Sequence, residues 1–270
     1  MLVPNAANPE LLAARDWIST HLGIHFPNEK LDILSSRLSS VVAKRGTPSV
    51  EVLMQEVHAG TPQARLDLAQ AVSTNHTFFF REQPTLDFFK KEIVAKTPNT
   101  APMRIWSAAS SSGEEAYTIA MIVSGIRGTT SLAPNVAILG TDISQRALAA
   151  AEAGEYDLSA LERVPGDLRQ RCIETVGPKR GKIVEGLRQA CVFRRMNLAT
   201  PQWPLKGGFN VVFCRNILYY FESRTQAAVV NHIYDLVVPG GWLITSVSET
   251  VRNLDTKWLP IEPGVYRRAP

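Results

Sequence analysis

The sequence predicts an α/β fold in which a parallel sheet is covered by helices on both faces, carries a small β insert and follows an all-α N-terminal domain. Three observations lead there. From Pro9 to about Val72 the apolar residues recur at helical spacing, and from Met103 onward strand-like and helix-like stretches alternate. Between residues 165 and 197 that alternation gives way to short basic strands with turn signals at Gly177-Pro178 and Gly181. These readings divide the chain into domains 1–82 and 83–270, with the insert at about 173–195.

Each element has a local reason. In the front part the stripes Leu11, Leu12, Ile18, Leu22 and Leu31, Leu34, Leu38, Val41 predict amphipathic helices. Pro27-Asn28, Gly46-Thr47-Pro48-Ser49 and Gly60-Thr61-Pro62 each read as a helix stop followed by a cap and a restart. This bundle has no glycine-rich loop and no acid–base cluster, so it reads as a packing or partner-binding module. Another helix is expected over Thr85 to Lys96. Strands are expected at Met103–Ala109, Asn135–Thr141, Phe209–Cys214 and Trp242–Val247, with helices near Glu114–Gly125, Gln145–Glu152 and Ser223–Val238. Lys182–Gly186 and Ala190–Arg194 read as the strands of the insert, and Pro239-Gly240-Gly241 as a tight turn.

Composition narrows the function. Cys172, Cys191 and Cys214 are odd in number and widely spaced, with no C-x-x-C and no clustered histidines, which points away from a disulfide framework or a zinc site and suits a reducing cytoplasm. No apolar run reaches the length of a membrane span, and Met1 to Asn5 lack the pattern of a signal peptide. The net charge of +4 is mild. Residues 160–195 hold nine Lys/Arg against four acids, an excess above that of the whole chain, which reads either as the solvated charges of an ordinary surface, the commoner case, or as a docking surface for something acidic.

The chemistry is expected at the carboxyl ends of the strands, where doubly wound sheets bind ligands. The strand at Met103 runs into the small-residue turn Ser110-Ser111-Ser112-Gly113, and Asp142 follows the next strand, the position from which an acid commonly bonds ribose hydroxyls. Glu114 and Glu115 open the following helix. Two acids there would repel a pyrophosphate, whereas S-adenosylmethionine, with a sulfonium, an ammonium and no phosphate, tolerates them. Cys214 at the end of a third strand reads as a small apolar filler rather than a nucleophile.

Four ordered stretches resemble one family: Thr74-Asn75-His76-Thr77-Phe78-Phe79-Phe80-Arg81-Glu82, Ser107 through Tyr117, Met196-Asn197-Leu198, and Phe213-Cys214-Arg215-Asn216 through Tyr220-Phe221. Together they look like the CheR-type chemotaxis protein methyltransferases, over nearly the whole chain. The resemblance implies a Rossmann-like S-adenosylmethionine-dependent methyltransferase domain that leaves S-adenosylhomocysteine and forms methyl esters on glutamates of chemoreceptor cytoplasmic signalling helices. It also implies that Asn75, Thr77, Arg81, Glu115, Asp142, Asn197, Leu198, Arg215 and Asn216 line the cofactor site, with Asp142 on the ribose. By the same resemblance the helix over Asn28–Arg45 faces the receptor, and the insert holds a receptor C-terminal tethering peptide or the receptor itself. His76 between Asn75 and Thr77, and Ser248-Glu249 without a preceding histidine, depart from the family pattern.

The reaction class constrains the remaining roles. A glutamate carboxylate is already ionised near neutrality, so attack on a sulfonium methyl calls for alignment and not for a general base. Arg81 and Tyr220 are the expected orienting groups, as catalytic residues. A nucleic-acid methyltransferase is the competing enzyme class, but the strand-end turn Arg215-Asn216-Ile217-Leu218 lacks the Asn/Asp-Pro-Pro-aromatic pattern of base methylation, so no nucleic-acid partner is expected. A cofactor sensor without turnover is a third reading, disfavoured by the presence of both Arg81 and Tyr220.

Overall fold

The computed structural model describes residues 8–270; the opening Met1 to Asn5 lies outside them. Four helices form the front part: α1 (Pro9–Leu22), α2 (Leu31–Arg45), α3 (Val50–His58) and α4 (Pro62–Val72). Their ends follow the punctuation. Asn8 caps α1 by accepting from the Glu10 N–H, Gly23 ends it at φ 74°, Gly46 ends α2 at φ 68°, and Ser49 caps α3 by accepting from the Val52 N–H. The apolar stripes meet in one core that includes Trp17, Ile18, Leu34, Leu38, Leu53, Leu68 and Val72.

A second core begins at once. Phe79 is fully buried in the α/β core, so the changeover between cores falls at residues 73–78, ahead of the boundary read from sequence at 82/83. Helix α5 (Gln83–Phe88) runs on as a π-helical turn over Phe89–Val94, which buries Phe89, Ile93 and Val94 together. Then come β1 (Met103–Ala108), α6 (Glu114–Arg127), β2 (Val136–Asp142), α7 (Gln145–Ala153), β3 (Glu155–Asp157), α8 (Leu158–Leu161) and α9 (Gly166–Cys172). The chain continues through β4 (Ile173–Val176), β5 (Arg180–Ile183), α10 (Glu185–Arg188), β6 (Cys191–Arg195), β7 (Phe209–Cys214), α11 (Ser223–Leu236), β8 (Val237–Ile244), β9 (Leu259–Glu262) and β10 (Val265–Arg267).

The main sheet has seven strands in the order β6-β2-β1-β7-β8-β10-β9, parallel through β8 and closed by the antiparallel pair β10 and β9. It is an α/β fold with a mostly parallel sheet and a helical N-terminal region, as the sequence predicts. Two strand readings need correction. Cys191–Arg195 does not belong to the insert: as β6 it pairs in parallel with β2, because Cys191 and Phe193 alternate inward onto the main core. The insert is instead a three-stranded sheet, β3-β5-β4, with Glu155–Asp157 as a strand that the sequence reading missed. The Pro239-Gly240-Gly241 stretch lies within β8 and not ahead of it. Phe209 pairs with Val237 but Val211 with Trp242, so the extra residues are taken up as a bulge with Gly240 at φ 73°.

Candidate active site

Two neighbouring strand ends build the site, and the backbone there is strained. Among the described residues the non-glycine positions with left-handed φ are Phe80, Glu82, Ala109, Ser111 and Asn216, between 50° and 67°. All lie on the three segments that meet at the carboxyl ends of β1 and β7. Such conformations persist only where surrounding contacts over-determine them, and they gather at functional sites.

After β1 the chain is held by β2. The Ser110 N–H donates to the Thr141 carbonyl at 2.8 Å, and the Trp106 indole donates to Thr141 Oγ1 at 2.9 Å. Asp142 completes the join: Oδ2 accepts from the Ser111 N–H and Oδ1 from the Ser144 N–H, both at 2.9 Å. Burial raises the Asp142 carboxyl above the ordinary range, and these two amides hold it partly back. Gly113 serves packing rather than ligand approach. A Cβ there would stand 2.8 Å from Ala151 Cβ of α7 and 3.0 Å from the Tyr156 hydroxyl, which itself donates to the Ser112 carbonyl. Tyr156 lies on β3, so the insert braces this turn.

After β7 the chain is held by carboxylates. The Arg215 guanidinium is 2% exposed and lies 3.1 Å from Glu115 Oε2 and 3.4 Å from Glu82 Oε2; it also donates to the Arg81 carbonyl. Glu82 Oε1 accepts from Asn216 Nδ2 at 2.8 Å and from Ser246 Oγ at 2.9 Å. Glu249 accepts from the Asn216 N–H at 2.6 Å and reaches the N–H groups of Ser246 and Tyr219. Burial raises Glu115 and Glu249 above the ordinary carboxylate range, opposed at Glu115 by Arg215 and at Glu249 by the backbone amides. At Glu82 burial also acts upward, but the Asn216 hydrogen bond and the Arg215 charge outweigh it and the carboxyl sits below its usual value.

The third wall comes from the front part. Residues 73–78, with Leu22, Ile24 and Val72 of the helical region, close a cleft of about 980 Å³ including its open mouth. All the residues singled out from sequence reach it: Asn75, Thr77, Arg81, Glu115, Asp142, Asn197, Leu198, Arg215, Asn216 and Tyr220 line this cleft. Their side chains do unequal things there. Asn197 Nδ2 donates to the His21 carbonyl of α1 and its Oδ1 accepts from the Ala199 N–H, while Asn75 Nδ2 donates to Ser144 Oγ at 3.2 Å. Arg215 is bound by Glu82 and Glu115. Arg81 donates to the His76 carbonyl at 2.8 Å and has no carboxylate partner among the described residues. The Tyr220 carbonyl accepts from the His25 N–H at 2.8 Å, which anchors this loop to the helical region.

Sequence reading passed over Glu82, Glu249 and Tyr156 as site-forming residues. Glu82 and Glu249 stand in stretches already singled out, yet no local pattern assigns them a role, because Glu82 meets Asn216 134 residues away and Val247 165 residues away. Cys214 is fully buried, and burial together with Glu249 and Glu115 drives its thiol far above the ordinary range, so it is no nucleophile.

Known proteins resemble this chain in sequence. The family described as CheR methyltransferase, SAM binding domain, matches residues 75–264. Chemotaxis protein methyltransferase 1 of Pseudomonas aeruginosa is 32% identical over 98% of this chain and 99% of its own length. The chemotaxis protein methyltransferase of Vibrio parahaemolyticus is 34% identical over 92% of each, and that of Borreliella burgdorferi 29% identical over 98% of this chain and 95% of its own. With the family's domain covering both strand-end turns and the cleft between them, the chain belongs to the CheR methyltransferases, enzymes that use S-adenosylmethionine.

Proposed function

We propose that this enzyme esterifies glutamate side chains of chemoreceptors, and that the cleft between the β1 and β7 turns holds the cofactor. One observation carries the reading: the residues lining the cleft include the carboxylates Glu115 and Asp142, the cation Arg81 and Tyr220, and no histidine or lysine other than the exposed His76. Both carboxylates are disfavoured in their charged form by burial, so a cationic ligand is the one they gain from most. S-adenosylmethionine fits that donor set, with Asp142 toward the ribose hydroxyls and Glu115 toward a positive group. When bound, it supplies a methyl group on sulfonium.

The residues of the chain then have an alignment task. A substrate glutamate ionises near pH 4.3, so it arrives as the carboxylate and needs no proton removed. Bound S-adenosylmethionine would supply the methyl group to that carboxylate and be left as S-adenosylhomocysteine, so the task of the chain is to hold the carboxylate in line. Arg81 and Tyr220 orient the incoming carboxylate. Glu82 and Glu249 keep Arg215, Asn216 and the Tyr219 backbone in place. Among the described residues that line the cleft, the Arg81 guanidinium has no carboxylate partner, and that suits a group waiting for one.

The partner reading is drawn in the same terms. The helix α2, with the front bundle, faces the receptor, and the insert sheet offers the edge strand β4, exposed from Glu174 to Val176, to a receptor tethering peptide. No described helix is long and apolar enough to cross a membrane, and the proposed site of action is the cytoplasmic end of the receptor. The test is transfer from methyl-labelled S-adenosylmethionine to purified receptor cytoplasmic fragments and to RNA in parallel. Label on the receptor that mild base releases is the expected result, since esters hydrolyse. Base-stable label, or label on RNA, would overturn the assignment.

A further inference from the structure

An aromatic ring on the cleft wall carries a second unpaired cation. Phe78, half-buried on the cleft wall, has the Arg81 guanidinium 5.5 Å from its ring centre and that of Arg163 at 4.3 Å. Arg163 lies between α8 and α9, in the stretch that joins β3 to β4 of the insert sheet. It is exposed, and among the described residues neither it nor Arg81 has a carboxylate within ion-pair distance. The insert's Lys182 and Arg188 differ in this respect, being paired with Glu155 and Glu185. A guanidinium lying over a ring keeps N–H groups for a carboxylate, although at Arg81 one of them already serves the His76 carbonyl. Sharing one ring keeps the two charges within about 10 Å of each other, a spacing that side chains one or two turns apart on a helix span.

Two like charges held on one platform repel each other, and a pair of carboxylates supplied from outside removes that repulsion. A single methyl-accepting glutamate answers only Arg81. We propose that Arg163 binds a second acidic side chain of the protein substrate, next to the glutamate being methylated, so that Phe78 and Arg163 select methylation sites with acidic neighbours. This rests on the glutamate-methylation reading above. Arg163 touches neither the methyl group nor the attacking oxygen, so its effect belongs to substrate recognition.

The experiment measures steady-state methylation of a receptor cytoplasmic fragment by wild type, Arg163→Gln and Arg163→Lys, with S-adenosylmethionine affinity taken by calorimetry. Arg163→Gln should raise KM for the fragment about three- to fivefold, as for an exposed ion pair, and leave kcat and cofactor affinity within about twofold. Arg163→Lys should recover most of the loss, and the gap should close at high salt. A second fragment, with acids one or two turns from the modified glutamate changed to amides, should cost the wild type the same factor and cost Arg163→Gln nothing further. An unchanged KM, an equal loss on both fragments by both enzymes, or a fall in cofactor affinity that places Arg163 on the cofactor would each overturn the proposal. Absence of base-labile label in the wild type would instead remove the glutamate reading itself.

Discussion

The turns after β1 and β7 lie side by side at the same edge of one sheet and are held by opposite means. The first is built from small residues, its backbone pinned by the next strand: Ser110 on Thr141, Ser111 on Asp142. The second carries large polar side chains and is pinned by carboxylates from distant segments, Glu82 and Glu249. A turn that presents backbone and one acid suits a ligand held in a constant pose. A turn that presents Asn216 and Tyr220 needs a frame that fixes side chains, because orientation is its product. The proposed division of labour is cofactor binding at the first and substrate alignment at the second.

The largest effect on this comparison should come from Glu82→Gln, which keeps the shape and the left-handed backbone but removes one of the two charges facing buried Arg215. Leaving a buried cation half-compensated should cost about 2–3 kcal/mol of stability, read by denaturant unfolding. The pH dependence has a definite sign. Because the Glu82 carboxyl sits below its usual value in the fold, its contribution is present above about pH 4.3 and is lost as pH falls through the lower folded value. Glu82→Gln should therefore flatten the acid limb of the stability curve, and an unchanged limb would detach Glu82 from the frame.

Next in size is Asp142→Ala on the other turn. It removes the acceptor for the Ser111 and Ser144 amides and the proposed ribose contacts, so cofactor affinity by calorimetry should fall at least about tenfold. Wild-type affinity in a folded variant would contradict the assignment.

The two turns also differ in how far they could be read from sequence, and for the same reason. The β1 turn was legible because strand, small residues, helix and following acid are close in the chain and each has a local signature. Arg215, Asn216 and Tyr220 were legible as chemistry, but their frame was not, since Asn216 meets its partners 33 and 134 residues away in the chain. The insert misled for a related reason. A run such as Cys191–Arg195 has strand composition whichever sheet it joins, and only its pairing with β2 decides. Glu155–Asp157 is a strand of three residues, too short for alternation to register.

The smallest effect is expected at the insert. Lys182 is taken up by Glu155, and Arg180 donates to the Glu155 carbonyl, so these two bases are already engaged within the sheet. Reversing the charge at Arg180 should raise KM for receptor fragments only about two- to threefold, in a salt-sensitive way, with cofactor affinity unchanged. Loss of cofactor affinity would show instead that the insert acts on the site through the Tyr156 brace.

The division between the two turns is tested most directly by one variant, Tyr220→Phe, measured for turnover and for S-adenosylmethionine affinity in the same preparation. It deletes a single hydroxyl and leaves the ring and the Tyr220 carbonyl bond to His25 in place. Alignment predicts a fall in kcat on the order of 10²-fold at saturating substrates, with cofactor affinity within about twofold. Parental turnover, or turnover and cofactor affinity falling together, would contradict the claim that the β7 turn orients the substrate while the β1 turn holds the cofactor.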